Sequence, residues 1–318
     1  MSMHMCLERP VICIVGPTAS GKSDAAQLVA RRLGGEVVSA DSMQIYRGMD
    51  IGTGKVLPEE RLVPHHGLDL IDPGEPYSAA LFQAYSRTCF SEINSRGNWP
   101  ILAGGTGLYV RAAIDAYDFP SGEQVENPVR ERYTTYANEH GPQALWELLN
   151  EIDPASAAVL HPNNVRRVVR AFEMLECEQT TYAEQLKNLS SIEQAVPALF
   201  FGLYVDPEIL KARIDARVDR MVETRLVEEV EGLLSKGFRE GVTAPQAIGY
   251  KEIVRALEGE ISLDQAIEDI KLATRRYAKR QRTWFRKDVR IKWIDADAGN
   301  AEDAACQILA HIDGALHE

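Results

Sequence analysis

The chain has 318 residues, enough to bury a full core and to form one large domain with a smaller one beside it. With 45% hydrophobic and 26% charged residues it has the composition of a globular protein, and no apolar run nears the roughly 18 residues that a membrane span requires. The net charge of −12 argues against a large nucleic-acid footprint, since neutralising phosphates takes Lys and Arg, unless those residues are concentrated locally.

In chain order, Val11–Val15 is a continuous apolar run that reads as a buried first strand. It leads into Gly16-Pro-Thr-Ala-Ser-Gly-Lys-Ser23 and then a helical pattern to Leu33, stopped at Gly34-Gly35. This is G-x-x-x-x-G-K-S in its strand, loop, helix setting. Backbone N–H groups of such a loop cradle phosphate oxygens, Lys22 stands against them as a point charge, and the Ser23 hydroxyl is placed to ligate Mg²⁺. Glu36–Asp41 is a second strand, and Asp41 falls where the carboxyl end of a parallel strand opens onto a ligand crevice. Gly52–Pro76, rich in Gly, Pro, His and Asp, reads as a long functional loop. Its His65-His66 pair has no third ligand at metal spacing, which favours a role in loop packing.

Ser78–Arg96 is expected to be an amphipathic helix, and Trp99–Ala103 another buried strand running into Gly104-Gly-Thr-Gly-Leu-Tyr109. That second Gly-rich turn brings backbone and the Thr106 hydroxyl to the crevice. From about Ser121 to Pro197 the pattern turns helical, with turn signals at Asn127-Pro128, Gly141-Pro142, Asp153-Pro154 and His161–Asn164. This is an α-helical insertion, and its Arg166, Arg167 and Arg170 are spaced to share one helix face. The sheet resumes at Ala198–Asp206, and Pro207 opens a long helix carrying Arg217. Another helix, from Leu263, ends in a stretch with seven Lys or Arg between Arg275 and Lys287, no acid, and the aromatics Tyr277, Trp284 and Phe285. Cations interleaved with rings suit splayed RNA bases, although a solvated helix face would look similar. Ile291–Asp295 and a last helix over Ala301–Leu316 close the core.

The phosphate loop alone admits several chemistries. There is no N-K-x-D motif of a GTPase switch, and no clear Walker B strand. A small-molecule or nucleotide kinase survives, with Asp41 activating a substrate hydroxyl and the insertion as a lid, but it leaves the basic helix unexplained. The five cysteines are scattered without a C-x-x-C pair, and Met1–Pro10 has no apolar signal core, so a cytoplasmic protein without zinc is expected.

Taken together, the segments closely resemble the tRNA dimethylallyltransferase (isopentenyltransferase) family. The matching pieces are Gly16–Ser23, Asp41-Ser-Met-Gln-Ile-Tyr46, Gly104–Tyr109, His161–Asn164 with Arg166–Glu173, Gln246-Ala-Ile-Gly-Tyr-Lys-Glu252 and Thr274–Gln281, in family order from residue 11 to about 287. Departures are confined to Gly52–Val56, which lacks a proline after the lysine, and Gly67–Leu70. The zinc finger of some eukaryotic members has no counterpart.

The resemblance implies an α/β fold, a P-loop NTPase-like parallel sheet core over residues 1–120 and 198–318, with a tRNA-binding helical insertion over 121–197. It implies transfer of a dimethylallyl group from dimethylallyl diphosphate to N6 of the adenosine next to the anticodon, by a monomer using Mg²⁺ at Ser23. The sibling family that prenylates free AMP or ADP shares the phosphate loop but not the insertion and basic helix. Gly16, Pro17, Thr18, Ala19, Ser20, Gly21, Lys22, Ser23 and Arg217 would then hold the leaving diphosphate, with Asp41 as the base and Thr106 as a hydrogen-bond donor to its oxygens. The anticodon stem-loop would be met by Asp41, Ser42, Met43, Gln44, Arg166, Arg167, Arg170, Gly249, Tyr250, Lys251, Arg275, Lys279 and Arg280, around a flipped adenine.

Overall fold

A computed structural model describes residues 5–117, 119, 127–190 and 192–316. The core is built from β1 (Val11–Val15), α1 (Lys22–Leu33), β2 (Gly35–Ser39), β3 (His65–His66), α2 (Ala79–Ser95), β4 (Trp99–Gly104) and α3 (Gly107–Ile114). The chain then passes through α4 (Pro128–Ile152), α5 (Pro154–Ala158), α6 (Val165–Glu173) and α7 (Tyr182–Ser190). It returns with β5 (Ala198–Tyr204), α8 (Pro207–Glu223), α9 (Leu226–Leu234), α10 (Tyr250–Leu257), α11 (Leu263–Phe285), β6 (Ile291–Asp295) and α12 (Ala301–Leu316).

The strands form one parallel sheet in the order β3-β2-β4-β1-β5-β6. Side chains of a strand alternate between faces, and a parallel sheet is covered on both, which is why all of β1 is apolar and buried. Ile12 and Ile14 point into a cluster with Ala25 and Val29 of α1, Ile214 of α8 and Ile308 of α12. Val11, Cys13 and Val15 point the other way, into Phe82 and Phe90 of α2 and Val110 of α3. Each such fully buried aliphatic side chain contributes about 1.5–3 kcal/mol. The doubly covered sheet holds its carboxyl edge rigid, and the turns after β1, β2 and β4 all open there.

The chain divides into two compact units, Met1–Asp115 with Gln194–Glu318, and Ala116–Glu193. The segment before β5 belongs to the first because Asp115 bridges Gln194 and the Ala195 amide donates to Ile114 O at 2.9 Å. In the second unit Asn127 caps α4 by accepting from the Val129 and Arg130 amides. Gly141, at φ 88°, breaks that helix before Pro142, and Asp153 caps α5. The unit has its own core of Leu145, Leu149, Val168 and Phe172. Among the described residues no helix is long and apolar enough to cross a membrane.

Candidate active site

The phosphate loop leaves β1 at Gly16 and enters α1 at Lys22. Ala19, at φ 63°, and Gly21, at φ 84°, take left-handed backbone that turns the loop back over the helix N-terminus. Ser20 faces inward, and a Cβ on Gly16 would lie 3.0 Å from its hydroxyl and 3.2 Å from Leu203 O, so the loop is packed tightly on β5. Lys22 is half-buried and donates from Nζ to Pro17 O at 3.3 Å. Burial pulls its pKa down to about 8, with the Asp41 carboxylate opposing and the Arg217 guanidinium adding to the effect.

Asp41 stands just past β2. Its Oδ1 accepts from the Met43 amide at 2.9 Å, which fixes the carboxylate in a local turn. The Thr106 hydroxyl accepts from the Ser42 amide at 3.0 Å, and the Thr106 amide donates to Ala40 O at 3.1 Å, so the turns after β2 and β4 are knitted together. A Cβ on Gly104 would meet Ala40 O at 2.2 Å, which explains glycine there. Tyr277 of α11 reaches the same place. Burial and then the Asp41 charge push its pKa up to about 12, against hydrogen bonds to the Thr106 and Gln281 side chains.

Arg217, on α8, points across the crevice and donates to Thr53 O at 3.4 Å. Burial lowers its pKa, and Asp41 and Asp24 oppose this. The loop it touches is held from behind: Glu229 accepts from the amides of Asp50, Ile51 and Gly52, and Gln44 donates to the carbonyls of Thr53 and Gly54 at 3.3 Å. Buried Lys55 adds ion pairs to Asp50 at 2.7 Å and Asp69 at 2.5 Å.

Two adjoining cavities result. An outer one of about 450 Å³ and an inner one of about 50 Å³ share Thr18, Lys22, Asp41, Thr53 and Arg217 in their walls. Ser23, Gln44 and His65 line the inner one, while Val218, Met221 and Ile270 give the outer one an apolar wall. Two cations, Lys22 and Arg217, and the Asp41 carboxylate therefore stand where the two cavities join, with an apolar wall on the outer side. His65 has Nδ1 2.9 Å from Val63 O, and His66 Nε2 lies 2.7 Å from Glu36. Among the described residues no group of three or more His, Cys, Asp and Glu is arranged to hold a metal.

The candidate RNA contacts separate into groups. Ser42, Met43, Gly249, Lys251 and Arg280 line the outer cavity. Tyr250 does not: it is wholly buried, and its hydroxyl donates to Glu229 at 2.6 Å, so it braces the Gly52 loop and offers no surface to a ligand. Arg275 and Lys279 lie on the far side of α11, along a groove with Leu210 and Ile214, and Arg275 is bonded to Asp215. The helical period is the reason, since residues 275 and 279 share one face and 276, 277, 280 and 281 another. Arg276 and Gln281, which sequence spacing did not single out, face the cavity. Phe285 is core, whereas Trp284 is exposed. In the second unit Arg166 and Arg167 are exposed at the start of α6, but Arg170 is drawn to Glu173 and Glu178.

A P-loop on a doubly covered parallel sheet, facing a fixed carboxylate and an apolar wall, defines an enzyme that handles a phosphorylated substrate with an apolar part. A family model described as IPP transferase matches residues 44–288, and one described as isopentenyl transferase matches residues 9–63. The chain belongs to the tRNA dimethylallyltransferase family, and by class it is a prenyltransferase. It is 46% identical to the tRNA dimethylallyltransferase of Carboxydothermus hydrogenoformans over 304 residues, 95% of this chain and 97% of that one. With the enzyme of Geobacillus kaustophilus the identity is 45% over 308 residues, 96% and 97% of the two chains. Among solved structures, the tRNA isopentenylpyrophosphate transferase of Bacillus halodurans superposes with a TM-score of 0.71 at 40% identity, covering 98% of this chain and 97% of that one. A eukaryotic dimethylallyltransferase acting on tRNA gives 0.77 at 30% identity, covering 94% and 77%. The kinase alternative is not favoured by any of these.

Proposed function

We propose that this enzyme transfers the dimethylallyl group of dimethylallyl diphosphate to N6 of the adenosine next to the anticodon of tRNA, releasing diphosphate. The observation that carries the reading is the single space shared by Lys22, Arg217, Asp41 and the apolar wall of Val218, Met221 and Ile270. In the reaction the bond between the allylic carbon and the diphosphate oxygen breaks, and the electron pair leaves with the diphosphate. The N6 lone pair forms the new bond to that carbon, and Asp41 takes the N6 proton. Negative charge builds on the leaving group, where Lys22, Arg217 and backbone amides at the helix end of the phosphate loop, Gly21–Ser23, stabilise it, each charged contact being worth about 2–4 kcal/mol. Thr18 and Thr106 hydroxyls donate to its oxygens.

Mg²⁺ fits this donor set. The Ser23 hydroxyl, a hard oxygen donor lining the inner cavity, would hold it there, and such a single protein oxygen suits an ion that dehydrates reluctantly. When bound, the ion neutralises charge on the departing diphosphate.

The acceptor is tRNA, met at the outer cavity by Ser42, Met43, Gly249, Lys251, Arg276 and Arg280. The helical unit adds its exposed Arg166 and Arg167. The core over Met1–Asp115 and Gln194–Glu318 performs the chemistry, and the helical unit over Ala116–Glu193, which the sequence places at 121–197, grips the anticodon stem-loop; the chain works as a monomer in the cytoplasm. The test is incubation with labelled dimethylallyl diphosphate and tRNA, AMP, or ATP with small acceptors. Label in tRNA supports the reading; label in AMP alone, or phosphorylation of an acceptor, overturns it. Lys22→Ala should abolish most transfer while leaving the fold intact.

A further inference from the structure

Gln281 is 5% exposed and carries no charge, yet it joins the two Gly-rich turns of the site. Its Oε1 accepts from the Thr18 amide of the phosphate loop at 2.9 Å, and its Nε2 donates to Gly105 O at 2.9 Å. These partners lie 263 and 176 residues away in sequence. Only a side chain with an acceptor and a donor on one planar head, at this length, makes both bonds. The turn is shaped to receive it, because a Cβ on Gly105 would stand 2.1 Å from Nε2. One helical turn earlier, Tyr277 is hydrogen-bonded to Thr106, so the same face of α11 meets both turns. The bond also occupies the Thr18 amide, so at that point the phosphate loop is held by α11 and that N–H is not free for a phosphate oxygen.

We propose that Gln281 is a positioning residue that holds the phosphate loop in register with the Gly105–Thr106 turn, so that the leaving diphosphate and the Thr106 hydroxyl meet in the reactive geometry. This rests on the prenyl-transfer reading above. A buried amide that merely satisfies its neighbours would affect stability alone. A register device instead affects the rate of the bound complex, since a misplacement of about 1 Å costs on the order of 100-fold in rate.

The experiment compares Gln281→Met, which keeps the volume and removes both bonds, with the unaltered protein. It measures thermal midpoint, tRNA affinity, binding of inorganic diphosphate and the single-turnover rate of transfer. The expected result is a folded variant with tRNA affinity unchanged, diphosphate binding weakened less than about tenfold, and a transfer rate lower by about 100-fold. Gly105→Ala, which pushes the amide aside without removing it, should lower the rate similarly, and the double variant should be no slower than Gln281→Met. If Gln281→Met fails to fold, Gly105→Ala alone decides, and a full rate in it overturns the inference. A lower midpoint with unchanged single-turnover rate in Gln281→Met shows a structural amide and overturns it as well. No transfer to tRNA by the unaltered protein overturns the functional reading, and this inference with it.

Discussion

Gly54 offers a way to move Arg217 without altering it. The residue has φ 62°, and a Cβ there would stand 1.8 Å from the Arg217 Nη2, so Gly54→Ala forces the guanidinium to withdraw. The left-handed backbone itself costs an alanine about 1–2 kcal/mol, a few degrees in Tm. Turnover should suffer more than stability. Arg217 lines both cavities opposite Lys22 and Asp41, and displacing a charged clamp by about 1 Å costs up to about 100-fold, while losing it outright costs about 2–4 kcal/mol of transition-state stabilisation. We therefore expect kcat/KM for the prenyl donor to fall by about 10- to 100-fold in Gly54→Ala. A double-mutant cycle assigns the cause. In Arg217→Ala the space is empty, so adding Gly54→Ala should lower Tm again but leave the already reduced kcat/KM where it was. Full turnover in Gly54→Ala, or losses that add in the double variant, would refute the idea that this glycine exists to seat Arg217.

Three further outcomes are expected. Because Lys22 is held at about 8 in the free enzyme, below its ordinary 10.5, it loses its charge as pH rises through 8, and kcat/KM for the donor should fall above that pH; a profile flat to pH 10 removes Lys22 from donor capture. Asp41→Asn should slow single turnover on bound tRNA by about 10² to 10⁴ with little change in tRNA affinity, because the amide cannot take a proton; collapsed affinity with a normal rate would make Asp41 a binding residue. Reversing Arg276 and Arg280 to Glu should weaken tRNA binding and reduce its salt dependence by about one unit of slope per lost phosphate contact, whereas reversing Arg275 and Lys279 should not, and the opposite pattern would put the RNA along the groove with Leu210 and Ile214.

The elements themselves were largely legible in the sequence. The last helix runs over Ala301–Leu316 as its pattern indicates, and β2 begins at Gly35 and ends at Ser39, a residue or two from the reading of Glu36–Asp41. Short-range chemistry explains this: apolar runs, helix caps such as Asn127 and Asp153, and the spacing of the phosphate loop are all local. His65-His66 reads as loop yet forms an edge strand, because two residues carry no period and pairing with Val37 and Val38 decides the matter. The basic helix misled in a different way. Its composition announced cations and rings, but which of them face the cavity depends on packing: the contact with α8 turns Arg275 away while Arg276 and Tyr277 face the cavity, and Phe285 is drawn into the core beside α2 and α3.

The same limit governs the glycines, which are the most visible feature of the site in sequence. A glycine-rich motif marks a place where a Cβ is not tolerated, and the structure shows that the object filling that space comes from far along the chain. Gly54 makes room for Arg217, Gly105 for Gln281 and Gly107 for the Trp284 ring. Each of these occupants sits on α8 or α11, so the two helices together convert flexible turns into a fixed surface facing the phosphate loop. Reading the motif alone therefore identifies the turn but not the side chain that rigidifies it. Substitutions at the glycine and at its occupant should behave as one unit, coupled in any cycle of paired variants, even where the two positions are more than 150 residues apart, as Gly54 and Arg217 are.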